Sequence, residues 1–142
     1  GTEVRYVGSG DVSAEYGGIS LTLFAPAEAG DENERGIAVL ASAGGVDTLI
    51  MGDLGMAAER ELVEEGKIPD VDILAVGHHG SKYSTSFELT GAAAPETAVI
   101  SVGYNTYGHP TDEALARLNL AGAEIYRTDI DGSITVRTDI DG

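Results

Sequence analysis

Short apolar stretches alternate along the chain with polar, glycine-punctuated segments, the rhythm of an α/β domain. Val4–Val7 and Ile19–Ala25 read as strands, the second placing Ile19, Leu21 and Leu23 on one face. Gly8-Ser9-Gly10-Asp11 and Gly17-Gly18 between them are turn sequences. Ala27–Arg35 is polar and acidic, a loop by composition. Ile37–Ala41 and Thr48–Met51 flank Gly44-Gly45 and predict a hairpin. Gly55–Glu65 predicts a helix in which Met56, Leu62 and Val63 share a face. Glu59, Arg60, Glu61, Glu64 and Glu65 fall mostly elsewhere, as a solvated face, and Gly66 and Pro69 end the helix.

Further on, Val71–Val76 predicts a buried strand, Ser84–Gly91 a short helix and Ala98–Val102 another strand. Thr111 is a good N-cap, with Asp112 and Glu113 in the first turn, where the helix dipole favours acids. That helix turns Leu115 and Leu118 inward and stops at Gly122. The tail predicts a hairpin, Glu124–Thr128 and Ile134–Arg137 about a turn at Asp131-Gly132. Arg-Thr-Asp-Ile-Asp-Gly occurs at 127–132 and again at 137–142, but two copies make no solenoid. Asp129-Ile130-Asp131-Gly132 looks like part of a calcium loop, yet the first Asp and closing Glu of such a loop are missing. Residues 1–142 therefore read as one domain, a mixed sheet with helices on a face.

Composition narrows the function classes. The 142 residues suffice for a single core, and no apolar run approaches the roughly 18–20 residues of a membrane span. No signal-peptide pattern precedes the first strand. The absence of cysteine excludes disulfides and thiolate metal sites. With 24 acidic and 8 basic residues the net charge is −16, which repels phosphate backbones and argues against sequence-independent nucleic-acid binding by this chain alone. Such charge also simply keeps a protein soluble. No Gly-x-Ser-x-Gly elbow supports a serine hydrolase, and Gly8-Ser9-Gly10 lacks the context of a phosphate loop.

The candidate chemistry gathers after strands. Two of three histidines are adjacent, in Val76-Gly77-His78-His79-Gly80-Ser81-Lys82. Met51-Gly52-Asp53 has the same form, a strand, a glycine, then a carboxylate, and His109 lies in Tyr107-Gly108-His109-Pro110 after Ala98–Val102. In α/β sheets ligands collect at the carboxyl ends of strands, so these three groups can converge on one edge. Imidazole and carboxylate suit Zn²⁺ and borderline ions such as Mn²⁺, and the neighbouring glycines let the backbone turn sharply. A lone His or Asp at a strand end also serves as an ordinary turn or cap residue. Two adjacent imidazoles between glycines have no obvious packing role.

Taken together, the ordered set Gly52-Asp53-Leu54, Val76–Lys82, Ile100-Ser101-Val102-Gly103 with Asn105, Tyr107–Pro110, and Tyr126–Asp129 with Asp131-Gly132 resembles the metallo-β-lactamase-like domain of ComEC-type competence proteins of bacterial DNA uptake. The resemblance implies the C-terminal half of an αββα fold. It implies Asp53 and His78 as metal ligands, with His79 an alternative ligand or a support to one. His109 would lie near the metals to position substrate or donate a proton, and Ser81 and Lys82 would meet a phosphate. The implied cofactor is a divalent metal, Zn or Mn, two ions in the complete domain, and the implied reaction is phosphodiester hydrolysis.

The superfamily's His-x-His-x-Asp-His signature is absent, and Glu32-Asn33-Glu34 stands where many members place another histidine. The expectation is thus half of a site, lacking an N-terminal half that would be its partner, with DNA reached through a parent protein. That parent would sit in the cytoplasmic membrane with this domain on the extracellular side. The chain alone is expected to be catalytically silent and to hold no metal tightly. A stand-alone hydrolase completing its site across a homodimer and a non-catalytic binding module are the other readings left open.

Overall fold

The fold is described from a computed structural model covering residues 11–26 and 36–138. The expected strand Val4–Val7, the loop Ala27–Arg35 and the Glu32-Asn33-Glu34 segment lie outside those residues. Seven strands form one sheet in sequence order: β1 Val12–Tyr16, β2 Ile19–Phe24, β3 Ala38–Ala43, β4 Val46–Ile50, β5 Ile73–Ala75, β6 Thr97–Ile100 and β7 Glu124–Arg127. β1 to β4 are an antiparallel meander, and β4 to β7 run parallel. Helices α1 Met56–Glu64, α2 Phe87–Ala93 and α3 Asp112–Leu120 make the three crossovers. Because β4 to β7 are laid down in one direction, right-handed crossovers place all three helices on the same face.

That face holds the core. Leu49, Leu74, Ala98 and Ile100 from the strands meet Leu54, Ala58, Leu62, Leu89, Ala93 and Leu118 from the helices and their entries, all essentially buried. On the opposite face the register aligns Val12, Leu23, Val39, Ile50, Ala75, Val99 and Tyr126 in one row across all seven strands. A second row runs Ala14, Leu21, Ala41, Thr48, Ile73, Thr97 and Glu124. No residue of either row joins the core, and Ile50 is 41% exposed. This second face is apolar along its first row and mixed along its second, and the described helices cover only the other face.

Four expectations need correction. Strand β1, between the two expected turns, carries no expected element, since Ser13 and Glu15 alternate with small or exposed neighbours in an edge strand. The tail forms no hairpin: β7 pairs in parallel with β6, and Thr128–Asp131 is a helical turn, α4. Local bonds capture this backbone, with Arg127 N–H donating to Asp131 Oδ2 at 2.7 Å and the Arg127 guanidinium paired to Asp129. Helix α2 begins at Phe87, not Ser84, because Thr85 has φ +58° and Ser86 is the true N-cap, accepting the Leu89 N–H at 3.2 Å. Finally, Glu59 is fully buried rather than part of a solvated face.

Candidate functional site

Parallel strands end on a common edge, and the loops leaving β4, β5 and β6 interlock there. The His78 N–H donates to Gly52 O at 2.8 Å, joining the β5 loop to the Asp53 turn. The Thr111 N–H donates to Gly80 O at 2.9 Å, joining it to the β6 loop. A methyl on Gly80 would lie 2.5 Å from Pro110 Cβ, so only glycine allows this close approach. The β6 loop is organised by Asn105, whose Oδ1 accepts from the Tyr107 and His109 N–H groups while Nδ2 donates to Gly103 O and His109 O. Thr128, after β7, closes the edge by accepting the Val102 N–H at 2.7 Å.

His78 and His79 both occupy the left-handed region, with φ of 48° and 55°, in a tight turn over Gly77–Gly80. Non-glycine residues in sparsely populated backbone regions cost of order 1–3 kcal/mol each, and persist where their surroundings over-determine them. Here the Ser81 N–H to His78 O bond, the Ser84 Oγ–H to Gly77 O bond and the loop-to-loop bonds do so. The two imidazoles consequently diverge. His79 Nδ1–H donates to Ser101 O at 2.7 Å, which fixes its tautomer and leaves Nε2 free to accept or ligate. His78 faces His109, their ring centroids 5.8 Å apart, and Tyr107 stacks on His109 at 6.0 Å.

Two clefts flank this histidine cluster. The larger, about 610 Å³, is lined by His78, Ser81, Lys82 and His109 among others, and the second, about 470 Å³, by His79, Ser101, Asn105 and Thr128. His109 and Tyr107 line both and form the wall between them. Burial holds the His109 pKa below the ordinary imidazole value, with the nearby His78 and His79 adding to the effect, which favours the neutral ring. Its Nδ1 is buried and has no hydrogen-bond partner among the described residues. A neutral imidazole with an unused ring nitrogen can accept a proton or bind a cation.

The site residues expected from sequence are placed unevenly. His78, His79 and His109 come together. Lys82 is exposed at the larger cleft with its ammonium 5.0 Å from the Tyr83 ring, while Ser81 is nearly buried, its Oγ accepting the Tyr83 N–H. Asp53 is exposed at the end of β4 and lines neither cleft. Among the described residues no three His, Asp or Glu side chains converge to hold a metal ion. A catalytic zinc takes three protein ligands, so the donors of the described residues do not by themselves fit a complete metal site. Two residues under the site escaped the sequence reading, Glu59 and Arg117, because surface-type residues on helices carry no signal of burial.

No protein-family model matches the chain. Among curated proteins, it is 35% identical over 124 residues to Competence protein ComA of Neisseria gonorrhoeae, covering 84% of this chain and 18% of the relative. It is 36% identical over 104 residues to ComE operon protein 3 of Bacillus subtilis, covering 72% of this chain and 13% of the relative. Recombination protein 2 of Haemophilus influenzae is 31% identical over 111 residues, with 78% and 14% covered. The chain is therefore a homologue of one stretch of ComA/ComEC-type competence proteins, and it spans less than a fifth of the length of these relatives.

Proposed function

We propose that the chain contributes one half of a metal-dependent phosphodiesterase site, of metallo-β-lactamase-like architecture, to a competence protein of the ComEC type acting in DNA uptake. The observation that carries this reading is the gathering of His78, His79 and His109 at the carboxyl edge of the parallel strands without a three-donor group. Asp53 and His78 serve as this chain's share of the ligands for zinc or manganese ions, with the remainder supplied by sequence beyond residues 1–142. Neutral His109 handles a proton at the wall between the clefts, and Lys82 offers a cation to a phosphate. The domain acts outside the cytoplasmic membrane beside a channel. Among the described residues no helix is long and apolar enough to cross a membrane.

The sheet face that the described residues leave bare supports the same reading. It presents one apolar row across seven strands and a second, mixed row with Leu21 and Ile73 beside Thr48, Thr97 and Glu124, and a sheet carried by the rest of the domain would cover its apolar part as in a sandwich of two packed sheets. The test is phosphodiester turnover with Mn²⁺ or Zn²⁺. A longer polypeptide carrying the rest of the domain turns over bis(p-nitrophenyl) phosphate and loses activity on Asp53→Ala or His78→Ala, while the 142-residue chain is silent. Clear turnover by the 142-residue chain, abolished by Asp53→Ala, contradicts the half-site. Turnover by a dimer of bare sheet faces, seen together with a doubled mass in light scattering, would favour a stand-alone enzyme.

A further inference from the structure

The loop that presents the histidines is under strain along its length. His78, His79 and Thr85 all have positive φ within nine residues of Gly77, and Thr85 Oγ1 is buried with no partner among the described residues. Such a segment holds its shape only if neighbouring elements impose it. Two helices do. From α1, the buried Glu59 carboxylate accepts the Thr85 N–H at 2.6 Å and the Ser86 N–H at 2.7 Å. From α3, the buried Arg117 guanidinium donates to Thr85 O at 2.6 Å, Ser84 O at 3.0 Å and Lys82 O at 3.2 Å. One stretch of backbone thus has N–H groups on a carboxylate and carbonyls on a guanidinium. The two side chains meet opposite sides of the same peptide units, a use to which the rigid, several-donor fork of arginine is suited. The grip passes directly to the histidine turn: Ser84 Oγ is within bonding reach of Gly77 O at 2.9 Å and Ser81 O at 3.2 Å, and Ser81 N–H donates to His78 O at 3.0 Å.

We infer that Glu59 and Arg117 are positioning residues for the histidine loop, clamping residues 82–86 from both sides so that His78, Ser81 and Lys82 are held at the larger cleft. The inference rests on the proposed function only in taking that loop to be part of the working site. The clamp itself stands on geometry.

Imidazole and backbone ¹⁵N–¹H spectra of the labelled 142-residue chain test it, using Glu59→Gln, Arg117→Lys and the exposed control Arg60→Ala. Both clamp variants are expected to keep the β1–β3 amide pattern while the His79 Nδ1–H resonance shifts or broadens as its bond to Ser101 loosens. Arg60→Ala leaves it unmoved. A purely structural role would lower the melting temperature and leave the histidine signals of the folded variants superimposed on wild type, and that result overturns the inference. Should the variants not fold, hydrogen exchange on the wild-type chain decides. The Ser81, Thr85 and Ser86 amides should exchange within about tenfold of one another, as one cooperative unit, whereas Ser81 exchanging about a hundredfold faster refutes the clamp. Neither readout involves metal or turnover, so failure of the hydrolase reading would leave both outcomes intact.

Discussion

Gly80→Ala isolates the contact that locks the β5 and β6 loops together. The new methyl would lie 2.5 Å from Pro110 Cβ, 3.1 Å from Pro110 Cα and 3.6 Å from Ile100 Cγ2. Carbon atoms in good contact lie about 3.5–4.0 Å apart, so the overlap with Pro110 exceeds an ångström. The proline ring cannot swing aside, because the next residue, Thr111, is bonded to Gly80 O. Overpacking of this kind costs about 1–3 kcal/mol, and an alanine at φ +80° adds about 1–2 kcal/mol. The total, roughly 2–5 kcal/mol, corresponds to a drop of roughly 6–15 °C in melting temperature for a chain of this size. Gly122→Ala supplies the control, since Gly122 has φ +84° and open space around it, and loses only the conformational part. Thermal unfolding followed by circular dichroism measures both. If the two variants melt within a degree or two of each other, the Gly80–Pro110 contact is not what holds the edge together.

Burial raises the Glu59 pKa above its ordinary 4.5, outweighing the bonds from Ser86 and Thr85 and the charge of Arg117 that lower it. A raised folded-state value means a contribution to stability that is full below about pH 4.5 and lost as pH rises through the folded value. The stability of wild type relative to Glu59→Gln should therefore fall between pH 4.5 and neutrality in urea titrations, and a difference that grows with pH would show the hydrogen bonds outweighing burial. Thr111→Ala removes the cap on the Ala114 N–H and the bond from Thr111 Oγ1 to Gly80 O. It should cost about 1 kcal/mol in the same titration, and an unchanged midpoint would deny Thr111 its capping role. Ile50→Lys places a charge on the bare sheet face. It should leave the melting temperature of the isolated chain within about 2 °C, as expected for an exposed position, and a larger drop would mean the face is covered.

Periodicity and turn chemistry made much of the fold legible. The apolar run at Val71–Val76 becomes β5 with its flanks, and Thr111 caps α3 as its sequence context requires. Where the reading failed, a tertiary or local bond overrode the pattern. Glu59 sits among solvated acids in sequence, yet two N–H groups from a distant loop draw it inside. The Asp131-Gly132 pair has the composition of a hairpin turn, but Arg127 binds both Asp129 and Asp131 and curls the backbone instead. Edge strand β1 carries too little apolar signal to be seen. Of the site, His78, His79 and His109 were visible as residues following strands, because parallel strands end together. The divergence of the two adjacent imidazoles was not visible, since it depends on two left-handed residues that no spacing rule reveals.

In the proposed function these residues form part of a metal site and not the whole. Calorimetric titration of Zn²⁺ into the 142-residue chain at neutral pH tests it most directly. Weak binding without a defined stoichiometry is the expected result. Tight binding of one or two ions, lost in both Asp53→Ala and His78→Ala, would show that the chain builds a complete site by itself and would contradict it.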